Sequence, residues 1–135
     1  MPRALAHAVL LASLMPAAAR ADDAGYVVAV ERVAAQKGRP AVARVTVRAT
    51  PGHHVNADFP STLVLQPPSG VTVAKATLRR ADATVSETEL VFRPTLSAHA
   101  SASVPGTLRF AVCTPAMCEP RTASVVIELA LVAAR

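Results

Sequence analysis

The chain has 135 residues, 52% of them hydrophobic but only 3% aromatic, with 11 Pro, five Gly, no Trp and a formal charge of +5. That apolar content is too high for a disordered chain, and its Ala- and Val-rich character favours strands packed with small side chains. The longest basic run is Arg79-Arg80, and one Tyr and three Phe offer no stacking platform, so nucleic acid is not an expected partner; five scattered Gly form no phosphate-cradling loop.

Residues 1–21 read as a signal peptide. Arg3 supplies a positive start, an apolar stretch of about a dozen residues follows, and Ala19-Arg20-Ala21 fits the small-x-small cleavage rule. The stretch falls short of the roughly 20 residues that span a bilayer, and no later segment is long and apolar enough, so no membrane span is expected in the mature chain. Removing Arg3 and Arg20 lowers the charge from +5 to +3. Residues 22–135 are then expected to form one exported, periplasmic domain, in a compartment where disulfides form.

The mature chain reads as successive strands. Residues 26–33 form a β-branched run that pairs as a hairpin with 43–49. In that second strand Ala43, Val45, Val47 and Ala49 alternate with a wet face of Arg44, Thr46 and Arg48. A short strand at 62–66 is closed by Pro67-Pro68-Ser69-Gly70. Strands at 71–78 and 87–92 flank a polar loop, and 96–104 alternates up to a turn at Pro105-Gly106. Leu108, Phe110 and Val112 then alternate with Arg109, Ala111 and Cys113, and 123–132 completes the set with Val125, Ile127, Leu129 and Leu131 on one face. No mature segment shows a helix period with caps. Seven to eight short antiparallel strands with turns about every ten residues predict an all-β, immunoglobulin-like β-sandwich.

Cys113 and Cys118 flank Thr114-Pro115-Ala116-Met117. A four-residue hairpin loop brings its flanking residues within disulfide reach. The enclosed loop is so short that a bond there contributes only about 2 kcal/mol in the chain-entropy model. A hairpin-tip bond is also open to attack by a thiolate. Spacing alone leaves a structural staple and a redox-active pair as alternatives.

The stretch from Phe110 through Cys113 and Cys118 to Pro120 resembles the signature of the amino-terminal periplasmic domain of the thiol:disulfide interchange protein DsbD. A second segment, Gly52-His53-His54-Val55-Asn56-Ala57-Asp58-Phe59-Pro60, is similar to the Gly-x-His-x-Asn-x-x-x-Pro run of its single-domain relatives. The resemblance covers roughly residues 42–131. It implies an immunoglobulin-like sandwich in which Cys113 and Cys118 are the catalytic pair, passing electrons between a DsbD-like membrane reductase or thioredoxin-like donor and periplasmic disulfide partners, without a cofactor. It also implies Cys118 as the attacking residue. Three features depart from the pattern. The DsbD domain has five residues between its cysteines where this chain has four. The loop at 79–84 lacks the aromatic residue that shields them there, and the membrane and thioredoxin-like domains of full-length DsbD have no counterpart, so a relay is expected to run in trans.

The resemblance places His54 and Asn56 beside the cysteines, where an imidazolium lowers a thiol pKa and an amide hydrogen-bonds a sulfur; the alternative is local packing in the turn after Pro51-Gly52. Phe59 reads as a substitute cap or a plug of the sandwich end. His53 is expected to alternate away from the site into solvent. Two other functions compete: a non-catalytic binding module with a structural hairpin disulfide, and a Cu(I) module using Cys113, Cys118, Met117 and His54. No metal site is assigned in the leading reading, and no Ser/His/Asp arrangement or nucleophile elbow occurs.

Overall fold

The computed structural model describes residues 24–134; the signal segment expected at 1–21 lies outside them. Two main sheets face each other. The first has the order β1 (Tyr26–Val30), β4 (Val45–Ala49), β10 (Glu89–Phe92), β9 (Ala83–Val85). The second has the order β2 (Val33–Ala35), β13 (Cys118–Leu131), β12 (Ala102–Cys113), β6 (Thr62–Leu65), β8 (Thr77–Arg79), with β5 (His54–Val55) also on β12. A small third sheet joins β3 (Ala41–Val42), β11 (Thr95–Ala98) and β7 (Val71–Val73). This strand order is that of an immunoglobulin-like sandwich.

The core follows from alternation. Val45 and Val47 from one sheet meet Leu63, Leu108, Phe110, Val112, Val125 and Ile127 from the other, all buried. Tyr26 of β1 stacks edge-on against Phe110 of β12, ring centroids 4.8 Å apart, and so ties the two sheets together. The predicted pairing of 26–33 with 43–49 forms over Tyr26–Val30 and Val45–Ala49 alone, with Tyr26 opposite Ala49 and Val30 opposite Val45.

Several runs expected to be single strands are divided between sheets, so the described residues form thirteen strands instead of seven or eight. The chain leaves β1 after Val30 and re-enters as β2, which runs parallel to the end of β13 in the facing sheet. Val71–Val73 and Thr77–Arg79 likewise pair in different sheets. The polar loop after them holds a 3-10 turn at Arg80–Asp82 and then β9. Thr46, expected on a wet face, is 6% exposed.

The turn expected at Pro105-Gly106 does not form. Both residues lie inside β12, opposite Val126 and Val125 of β13. Pro105 is tolerated because its carbonyl accepts from the Gln66 N–H, so its missing donor faces the neighbouring strand just past the end of β6, where the ladder stops. Gly106 serves a close approach: a Cβ there would stand 3.0 Å from Leu65 Cδ2 and 3.2 Å from the Val64 carbonyl.

Candidate disulfide site at the hairpin tip

Twelve register pairs run from Ala102 opposite Leu129 to Cys113 opposite Cys118. The tip closes with the Thr114 N–H donating to the Met117 carbonyl at 2.8 Å, while Thr114 Oγ1 accepts from the Ala116 and Met117 N–H groups at 3.3 Å each. Thr114 and Met117 thus form a hydrogen-bonded pair, which makes Cys113 and Cys118 the adjacent non-hydrogen-bonded pair, the closer of the two spacings in an antiparallel ladder. Their Cα atoms are 3.9 Å apart and their sulfurs are bonded to each other. The two residues differ in exposure: Cys113 is 1% exposed, Cys118 lies open to solvent.

Alternation assigns the surrounding residues to two faces. Phe110 and Val112 point into the core, so Cys113 and Cys118 point to the outer face of the sheet. On β5, Val55 pairs with Val112 and points into the core, while His54 pairs with Cys113 and shares its face. His54 is exposed. Asn56 follows; its N–H donates to the Ala111 carbonyl at 3.0 Å, and its Oδ1 accepts from the Asp58 N–H at 3.0 Å, so its side chain braces its own turn. Phe59 is half-buried in that turn, outside the buried core cluster.

His53 departs from expectation. It does alternate away from the cysteines, but it is half-buried rather than solvated, packed so closely on Gly25 that a Cβ there would stand 2.5 Å from its Cδ2. The turn at Pro51-Gly52 directs it inward. With Val112, Met117, Glu119 and Arg121 it lines a cavity of about 230 Å³ at the sandwich end. Arg121 pairs with Glu119 at 2.6 Å, and neither His53 Nδ1 nor Arg121 Nε has a hydrogen-bond partner. Met117 therefore belongs to the core-side cavity while Cys113, Cys118 and His54 belong to the outer face. The four residues of the copper alternative are split between the two sides of the sheet. Among the described residues no group of three or more His, Cys, Asp or Glu is placed to hold a metal ion.

Two features of the site escaped sequence reasoning. One is the Thr114 hydroxyl that braces the tip. The other is a cross-strand row formed by Arg79, Thr62 and Arg109, whose members lie up to 47 residues apart in the chain and meet only through the pairing of β8, β6 and β12. The alternation around each residue is visible in the sequence; their shared row is not.

No protein-family model and no curated sequence matches the chain. Among solved structures it is similar to domains 4 and 5 of the S-layer protein SbsC, with 18% identity and a TM-score of 0.41 over 79% of this chain, which spans about half (51%) of that one. It is also similar to AggA, the major subunit of aggregative adherence fimbriae type I from Escherichia coli, with 10% identity and a TM-score of 0.40 over 79% of this chain and 94% of that one.

Proposed function

We propose that the chain is an exported, periplasmic thiol-disulfide exchange module working through Cys113 and Cys118. The observation that carries this reading is the unequal exposure of the two cysteines at a hairpin tip. The staple alternative is weakened by the ladder itself. Backbone pairing already holds the two residues opposite each other, so a bond closing about six residues adds only about 2 kcal/mol.

The exchange proceeds in two displacements. A partner thiolate attacks Cys118 Sγ, the exposed sulfur; the Cys113–Cys118 bond breaks, and Cys113 leaves with the electron pair and takes up a proton. The partner's second thiol, deprotonated, then attacks the partner sulfur of the mixed disulfide, and Cys118 leaves and is protonated. The partner ends as a disulfide and this chain as a dithiol, two electrons and two protons having passed between them. Run backwards, the reduced chain attacks a partner disulfide through Cys118 and Cys113 resolves the intermediate. His54, beside Cys113 on the same face, is placed to favour the leaving thiolate.

The pair should equilibrate with thioredoxin-like proteins at a reduction potential above about −300 mV. Cys113→Ala, which keeps the exposed sulfur and removes the resolver, should accumulate mixed disulfides that dithiothreitol dissolves; Cys118→Ala should accumulate far fewer. A potential well below −300 mV together with no adduct from either variant assigns the disulfide to structure and the chain to the binding-module reading.

A further inference from the structure

Resting on the exchange reading, we infer that the outer face of the cysteine-bearing sheet docks an acidic surface of the partner, gripping a partner carboxylate between Arg79 and Arg109 while Cys118 engages its sulfur. Thr62 pairs with Arg109 on one side and with Arg79 on the other, so the three stand in one row across β12, β6 and β8. Their sequence neighbours Leu63, Leu78 and Leu108 are buried in the core, which turns the row outward, and both arginines are exposed. Two strand spacings separate them, about 10 Å, with the Thr62 hydroxyl between.

Neither arginine of the row is in an ion pair among the described residues; the pairs there involve Arg48, Lys75, Arg80 and Arg121. Of the two acids nearby, Asp82 offsets the Arg79 charge only in part, because it also answers Lys75. Asp82 is held by Lys75 Nζ at 2.7 Å and by the Arg79 backbone N–H at 2.9 Å, and Asp58, fully exposed, sits 4.0 Å from Arg80 Nη1. A cavity of about 310 Å³ opens beside the Arg79 end of the row, lined by Asp58, Ser61, Thr62, Arg79 and Arg80.

Position ties the row to the disulfide. Arg109 and Cys113 are four residues apart on one strand and share a face, about 14 Å apart. Arg79, three strands from Cys118, lies about 20 Å from it. A standard interface of about 800 Å² per partner reaches about 16 Å from its centre, so one centred midway between Cys118 and the row covers both. Covering two guanidiniums that lack an ion-pair partner with apolar or basic surface is costly, whereas a carboxylate about 17 Å from the partner's reactive sulfur neutralises them and steers the encounter.

The test uses peptides carrying Cys-Gly-Pro-Cys and an arm of four Glu, four Gln or four Lys, together with cysteine-free Ser versions. At low salt the Glu-arm dithiol should reduce the protein about fivefold faster than the Gln-arm dithiol. The advantage should shrink as salt rises and vanish in Arg79→Gln/Arg109→Gln. Arg79→Glu/Arg109→Glu should favour the Lys arm instead. The cysteine-free Glu peptide should bind the wild type more tightly than Arg79→Gln/Arg109→Gln by a similar factor. Equal binding to both, or a Glu advantage that survives in the double variant, overturns the inference. Tighter binding of a single-stranded oligonucleotide of equal charge overturns its assignment to an acidic protein. Reduction by dithiothreitol, which has no arm, reports on the exchange reading separately: it should be equal in all variants, and a pair that resists it sinks that reading while the peptide titration still decides the docking.

Discussion

Cys113→Ser together with Cys118→Ser should leave the sandwich folded at room temperature, with a loss of about 2 kcal/mol or less in denaturant unfolding, because the ladder and not the bond sets the register of the tip. An unfolded double variant would mark the disulfide as a staple. Gly106 is a more sensitive position than either cysteine. Its would-be Cβ meets a backbone carbonyl that cannot swing away, so Gly106→Ala should cost about 1–3 kcal/mol by the same measurement despite adding one methyl group. The cysteine pair and its four-residue loop were legible in the sequence because they depend on neighbours within a few residues; His54, 59 residues before Cys113, was placed on that face only by the family resemblance. His53 was misplaced because alternation gives the side a residue faces but not what closes over it; Gly25, 28 residues earlier, supplies that surface.

At the scale of elements, the 3-10 turn at Arg80–Asp82 fixes the base of the Arg79–Thr62–Arg109 row. The Arg79 N–H, and after it the Lys75 ammonium, hold the exposed Asp82 carboxyl below its ordinary value of 3.8. A carboxyl whose pKa falls on folding adds stability above its unfolded pKa and loses it as pH drops through the lowered value. The turn should therefore be intact at neutral pH and loosen only below the ordinary carboxylate range, read as faster amide exchange at Arg79 when corrected for intrinsic pH effects. Asp82→Asn should remove that acid dependence. The hairpin element makes its own statement about metals. With Met117 on the cavity side and the cysteines and His54 on the outer side, reduced protein given Cu(I) should retain no tight stoichiometric ion, as measured by competition with a Cu(I) chelator. One copper per chain, lost on Met117→Ala, would restore the copper reading.

The two main sheets of the sandwich meet through a small number of large side chains. Phe110 is fully buried on the cysteine-bearing strand and stacks on Tyr26 of the opposite sheet, so Phe110→Ala should cost about 3–5 kcal/mol and reach the hairpin tip three residues away, visible as faster exchange of the Thr114 N–H. The sequence by itself determined the fold class, the core face of nearly every strand and the short disulfide loop, since period-2 alternation and turn residues are local properties of the chain. Tertiary structure decided which sheet each short run joins. A strand that crosses between sheets after Val30 or Val73 keeps its alternation, and only the pairing partner reveals the crossing. It also decided that Pro105 and Gly106 continue a strand instead of ending one, because a missing N–H is harmless where the neighbouring strand has stopped, and a missing side chain is required where Leu65 and Val125 close in. The face on which the cysteines, His54 and the arginine row stand together arises in the same way, from the pairing of β5, β6 and β8 against and beside one long strand.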